Sequence, residues 1–169
     1  TMAEATGKDQ DAGFVKSAFA RIADRYVLTN HVLSLGTDIL WRRKVSRLVR
    51  GWNPSRVVDV ATGTGRVPDA LLYGPRFRGT VIAQDLSQKM LLEADKKLAP
   101  YRGRYSLIRR DAQHLPYPDQ SFDAVCCLEA LEFMPSPQRV LDEMARVLRP
   151  GGILLLTNRV NWEGKLMPG

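Results

Sequence analysis

Cysteine is nearly absent: the 169 residues contain two, adjacent at Cys126 and Cys127. Neighbouring thiols cannot staple distant segments, which excludes a disulfide framework. They sit in the apolar run FDAVCCLEA and read as buried thiols in a reducing cytoplasm. Histidine is equally scarce, and His31 and His114 have no cysteine or acidic cluster at metal-ligand spacing, so no metal site is expected. No apolar run approaches the ~18 residues that a membrane span requires. No sequence of basic start, apolar core and small-residue cleavage site marks a secretory leader. Aromatic residues are 8% of the chain and no basic stretch interleaves with them, so a stacking platform for nucleic acid is missing. Internal repeats and low-complexity tracts are also lacking.

What is there is an ordinary balance, 44% hydrophobic and 25% charged, in a chain long enough for one domain with a real core. The net charge of +7 points to nucleic acid, anionic lipid or acidic small molecules. Its one local concentration is Arg42, Arg43, Lys44, Arg47 and Arg50. Most of these residues lie off the apolar stripe Trp41, Val45, Leu48, Val49 and Trp52 of a helix expected from Thr37. A solvated helix face and contact with an anionic ligand or lipid are both open readings. Upstream, Phe14, Ala18, Phe19, Ile22 and Tyr26 share one face of an earlier helix. Residues 1–55 therefore read as an N-terminal helical cap on a domain of residues 56–169.

From residue 56 strands and helices alternate. RVVDVA, GTVIAQD, YSLIRRD, FDAVCCLEA and GILLLTN read as five strands. Helices are expected at 65–73, at 87–98 with Met90, Leu91, Ala94 and Leu98 inward, and from Ser136 with a stripe of Val140, Leu141, Met144, Val147 and Leu148. Pro150-Gly151-Gly152 should stop the last helix. Alternation of this kind implies an α/β fold, a parallel sheet with helices on both faces. Ligands bind such sheets beyond the carboxyl ends of the strands, where strand order reverses.

Acids stand at three of those ends. Asp59 interrupts the first strand just before Ala61-Thr62-Gly63-Thr64-Gly65, whose glycines allow a tight bend and close approach of a ligand. A dinucleotide fingerprint would place a third glycine at position 68, which is Pro68, and no Gly-Lys-Ser/Thr of a P-loop occurs. Asp85 closes the second strand, where a carboxylate can accept hydrogen bonds from both hydroxyls of a ribose. Capping the helix that begins at DLS is its plainer role. Asp111-Ala112 follows the third strand, and a carboxylate beside a free N–H can read the edge of an adenine.

These segments resemble the class I S-adenosylmethionine-dependent methyltransferases over residues 57–157, nearly the whole core. VVDVATGTG is similar to their first motif, VIAQDLSQKML to their ribose motif, RRDAQHLPYPDQSFDAV to their adenine loop and fourth strand, and LDEMARVLRPGGILLLTN to the closing helix and strand. FARIADRYVLTNHVLSLGTDILWRRKVSRLV is similar to the start of the ubiquinone/menaquinone-biosynthesis C-methyltransferases, the methyltransferase type 11 group.

The resemblance implies a Rossmann-like core with N-terminal helices before it. It implies S-adenosyl-L-methionine as cofactor and S-adenosyl-L-homocysteine as product. Asp59, Ala61, Thr62, Gly63, Thr64 and Gly65 would surround the methionine and ribose portion. Asp85 would hold the ribose hydroxyls, Leu86 would pack on the adenine, and Asp111 and Ala112 would read its edge. Leu128 and Glu129 would face the sulfonium, with Tyr26 and Arg42 closing the pocket from the N-terminal side. Glu129, His114 and Tyr26 are the candidates for a catalytic base, none preferred. One departure concerns the carboxyl end: the usual sixth and seventh strands are missing from RVNWEGKLMPG, so the fifth strand needs cover, for which a partner chain is one source.

The function expected is methyl transfer to a small, apolar or quinone-like acceptor, in the cytoplasm or at a membrane surface, with a homodimer left open. An RNA methyltransferase is the alternative that the charge suggests. The fourth strand, however, runs into CLEALEFMP and not into an Asn-Pro-Pro-Tyr-like signature, and no nucleic acid is expected. A cofactor-binding protein without catalysis is the other alternative.

Overall fold

Short apolar runs build the sheet, from the pair Val57-Val58 ahead of Asp59 to the five residues Ala124–Leu128. The computed structural model describes residues 26–28, 47, 51–128 and 130–157. Six strands lie in it: β1 (Tyr26–Leu28), β2 (Arg56–Val60), β3 (Thr80–Asp85), β4 (Tyr105–Arg109), β5 (Phe122–Leu128) and β6 (Leu148–Thr157). The helices among the described residues are α1 (Arg66–Tyr73), α2 (Gln88–Leu98) and α3 (Pro137–Val147), with short 3₁₀ turns at Ala99–Tyr101 and Leu131–Phe133. The strand order is β1-β6-β5-β2-β3-β4 and every pairing is parallel. Order reverses between β2 and β5, so the crevice of a doubly wound sheet opens beyond the carboxyl end of β2.

Both faces of the central strands are covered, which is why their sequences are apolar without alternation. Odd-numbered β2 and β3 residues, Val57 and Val81, pack with Val67, Ala70 and Leu71 of α1 and Leu98 of α2. Even-numbered ones, Val58, Val60 and Ile82, pack with Val140, Leu141, Met144 and Val147 of α3. Each fully buried side chain of this size contributes about 2 kcal/mol of transfer free energy. Cys126 and Cys127 are buried on opposite faces, and loss of solvent pushes both thiols up, Cys127 to about 12.

The five expected core strands and three expected core helices are present, with adjustments. Tyr26 lies on a strand and not on a helical face: β1 pairs with β6 in the register Tyr26↔Leu154, Val27↔Leu155, Leu28↔Leu156. The cover expected from a partner chain along the fifth strand is supplied there by this chain itself. Met90 is 41% exposed although Leu91 in the same first turn of α2 is buried: the buried face is Leu91, Ala94 and Leu98, and Met90 lies on its flank. Leu148 begins β6 instead of ending α3, pairing with Phe122 before Arg149–Gly152 bulge opposite Asp123, and pairing resumes at Ala124↔Ile153. Asp111 lies two residues past the end of β4. Arg47 is helical and exposed, while Trp52, expected on the apolar stripe, lies in a turn and is 38% exposed; the remaining N-terminal helix positions, and the segment after the fifth strand, lie outside the described residues.

Candidate functional site

The turn after β2 is built from alternating left-handed backbone. Ala61, Gly63 and Gly65 have φ of 58°, 59° and 81°. Gly65 is forced by contact as well as by φ: a Cβ there would stand 3.1 Å from the Cβ of Ala94 in α2. Gly63 is different. Among the described residues nothing lies within 4 Å of where its Cβ would be, so they leave this backbone bare.

Two carboxylates converge on that turn. Asp59 is 1% exposed, and its Oδ2 accepts a 2.7 Å hydrogen bond from the Thr62 hydroxyl. Its Oδ1 is buried with no partner among the described residues. Burial pushes its pKa up to about 7, against the pull of the Thr62 bond and with a push from the charge of Asp85. Asp85 closes β3 and spans two elements: Oδ2 accepts from the Gly63 N–H at 2.8 Å and Oδ1 from the Ser87 N–H at 2.9 Å. Ser87 itself caps α2, its hydroxyl accepting from the Met90 N–H. A carboxylate oxygen accepts two hydrogen bonds, and among the described residues each oxygen of Asp85 accepts one, which leaves it one further position. Thr64 accepts from Lys97 Nζ at 3.2 Å, tying the turn to α2.

The third acid joins through the backbone. Arg110 N–H donates to the Asp85 carbonyl at 3.2 Å, which carries the chain past β3 before Asp111. Asp111 Oδ1 accepts from the Gln113 N–H at 2.9 Å, which orients the carboxylate. Asp111 is exposed and Ala112 half-buried. Leu86, at 61% exposure, follows Asp85 directly, and Leu128 ends β5 half-buried. His114 is exposed, its Nδ1 3.3 Å from Arg139 Nη2 of α3, which ties it to that helix. Tyr26 lies in β1 on the far side of β6, while Arg42 and Glu129 lie outside the described residues.

Three participants went unread in the sequence. Gln84 is 1% exposed beside Asp85, and its Oε1 accepts from the Tyr117 hydroxyl at 2.7 Å. Burial pushes that phenol up to about 12. A glutamine inside an apolar strand was the available signal. Glu143 and Arg146, three apart on α3, form a 2.6 Å ion pair that also binds the segment after β4. A cavity of about 330 Å³ opens at the opposite edge of the sheet, lined by Arg56, Thr80, Arg104 and Phe122 among others. The convergence of acids and glycines, not the presence of a cavity, makes the carboxyl edge the candidate site.

The chain is 41% identical over 152 residues to a demethylmenaquinone methyltransferase of Deinococcus radiodurans, covering 89% of this chain and 62% of that protein. It is 34% identical over 140 residues to a ubiquinone/menaquinone biosynthesis C-methyltransferase of Geobacter sulfurreducens, covering 82% and 55%. Among solved structures, the [4+2]-cyclase SpnF superposes with a TM-score of 0.64 at 26% identity, over 88% of this chain and 56% of that one. The chain thus spans about three fifths of the length of the curated relatives it matches. A family model matches residues 5–167, nearly the full sequence, and the chain accordingly belongs to the ubiE/COQ5 methyltransferase family.

Proposed function

We propose that the carboxyl edge between β2 and β3 binds S-adenosylmethionine, and that the protein transfers its methyl group to a small, apolar, quinone-like acceptor. The observation that carries this reading is Asp85. It joins the glycine turn to the start of α2 through two backbone N–H groups and, among the described residues, keeps one acceptor position on each oxygen. Two adjacent hydroxyls of a ribose fit those two positions, in charge-assisted hydrogen bonds.

The surrounding residues suit the same ligand. Among the described residues, the bare backbone at Gly63 leaves room for the ligand. Asp59, with an orphan oxygen behind the turn, favours a cationic group nearby. Asp111 and Ala112 offer an acceptor and a backbone N–H to a purine edge, and Leu86 an apolar surface to its face. Arg42, Leu128 and Glu129 retain the roles that the resemblance implies, whereas Tyr26, in β1 with β6 and β5 between it and β2, is set aside as a pocket residue. The cofactor supplies an electrophilic methyl on a sulfonium; the chain's task is alignment of the acceptor and exclusion of water, with no covalent nucleophile required. The names of the methyltransferase relatives support a quinone-like acceptor. SpnF, named a cyclase, illustrates that this fold also hosts other reactions, so activity rests on measurement.

The test is calorimetric titration with S-adenosylmethionine and S-adenosylhomocysteine. Asp85→Ala is expected to weaken both at least about tenfold, or about 1.4 kcal/mol, with Asp85→Asn intermediate because it keeps one acceptor. Equal affinity in all three proteins removes the ribose assignment. Formation of methylated product from labelled cofactor separates an enzyme from a cofactor-binding protein.

A further inference from the structure

The segment between β4 and β5, residues 110–121, bears Asp111 and Ala112 and has no helix or strand of its own. Its near end is fixed to β3 by the bond from Arg110 N–H to the Asp85 carbonyl. Its far end is held by a backbone bond from the Gln120 N–H to the Arg146 carbonyl, by Tyr117 bonded to Gln84, by Leu115 in the core, and by the densest set of bonds from one side chain. Arg146, in the last turn of α3, donates from Nη2 to the Leu115 carbonyl at 2.9 Å and from Nη1 to the Tyr117 carbonyl at 2.8 Å. Nη1 also donates to Asp119 Oδ1 at 2.8 Å. Nη2 and Nε both reach Glu143 Oε2, at 2.6 and 3.1 Å. That same oxygen accepts from the Leu115 N–H at 3.3 Å.

A guanidinium has five N–H donors in one plane, and here the five contacts engage all five. Lysine, with three donors on a point charge, cannot reproduce the set. The contacts fall on alternate residues, 115, 117 and 119, and four of the six hydrogen bonds of the clasp engage the segment directly. Tyr117 then passes the constraint on, its hydroxyl donating to Gln84, the neighbour of Asp85. Asp111 and Ala112 are therefore strung between two fixed points, and neither Arg146 nor Glu143 lies at the acids themselves.

We propose that Arg146, held by Glu143, is a positioning residue for the purine end of the site: it fixes residues 115–119 so that Asp111 and Ala112 present one defined edge to the base. This rests on the adenosyl-binding reading above. Arg146 touches no reacting atom; it acts through the segment it grips.

The readout is discrimination between bases, which a purely structural role would not move. S-Adenosylhomocysteine offers Asp111 a 6-amino donor, whereas S-inosylhomocysteine offers a 6-oxo acceptor, so the wild-type protein is expected to prefer the former about tenfold or more. In Arg146→Lys the preference should shrink to within about twofold, whereas Asp85→Ala should weaken both ligands by one factor and leave the preference intact. An unchanged preference in Arg146→Lys, with weaker binding or a lower melting temperature alone, overturns the proposal. Failure of the wild-type protein to bind either ligand overturns instead the reading on which it rests, and equal binding of the two removes the purine-edge role and the proposal together. Should Arg146→Lys not fold, Glu143→Gln carries the same test, because it keeps a carbonyl for the Leu115 N–H while losing the charge that holds the guanidinium.

Discussion

At Asp59 the demands of the site and of the fold oppose each other. Its carboxyl, pushed by burial from an ordinary 3.8 to about 7, binds a proton in the folded protein that the unfolded chain releases above pH 4. The folded pKa is the raised one, so this contribution to stability is full below about pH 4 and is lost as the pH climbs to about 7. The swing amounts to at most about 4 kcal/mol. Asp59→Asn keeps an acceptor for the Thr62 hydroxyl and abolishes the titration. The variant is expected to lose less stability than wild type between pH 4.5 and 8, and to be the more stable of the two at pH 8. Denaturant melts at both pH values check this, and parallel losses in the two proteins would remove the buried-charge account. Asp59 and Asp85 were legible in the sequence because a carboxylate inside an apolar run is costly without a purpose. The Arg146 clasp was not, because its backbone and Asp119 partners lie 27 to 31 residues upstream in an irregular segment, and no spacing rule connects them. Only the Glu143–Arg146 pair, at helical spacing, was visible in principle.

At the level of elements, the turn after β2 separates what folding requires from what binding requires. Gly65→Ala combines a left-handed residue with a Cβ pressed on Ala94 and Leu98, both fully buried, and should cost about 2–4 kcal/mol. Gly63→Ala meets no neighbour among the described residues and bears the left-handed penalty, about 1–2 kcal/mol, which Ala61 already sustains at φ 58°. Its methyl, however, would occupy the space assigned to the ligand. Gly63→Ala should therefore melt nearer to wild type than Gly65→Ala does, while binding S-adenosylhomocysteine more weakly relative to its stability loss. Thermal melts and calorimetry on both proteins decide the matter: the assignment fails if Gly63→Ala binds as wild type does. The glycines announced this turn, as the doubly buried apolar runs announced β2, β3 and β5. Tyr26 misled because it extends the spacing of Phe14, Ala18, Phe19 and Ile22, and a three-residue strand is too short to display a period of its own. Met90 misled because helical spacing admits it beside Ala94, whereas the buried stripe is the narrower Leu91, Ala94 and Leu98 with Met90 on its flank.

Across the whole sheet, the two outer edges are managed differently. One edge is β4, whose Ser106 and Arg109 are exposed and whose Arg109 Nε donates to the Leu86 carbonyl at 2.9 Å, so polar and charged side chains blunt it. The other would be β6, and there the stretch Leu154, Leu155 and Leu156 is apolar, buried and free of charge. An open edge of that composition invites pairing with another chain. β1 covers it, parallel and in register over three residues, so the outermost described strand on that side is a very short one. Removing residues 1–30 while keeping the remainder should therefore expose the backbone donors and acceptors of Leu154–Leu156 and promote self-association. Sedimentation velocity over a range of concentrations is the measurement. The shortened chain is expected to sediment as larger, concentration-dependent species, more so than the full chain at equal concentration, and a charged substitution such as Leu155→Lys is no remedy because that side chain is buried against α1. A second truncation that stops before Tyr26, removing residues 1–24, keeps β1 and should restore the behaviour of the full chain. If both truncations associate equally, protection of the edge lies elsewhere in the N-terminal region, and β1 is an incidental neighbour of β6.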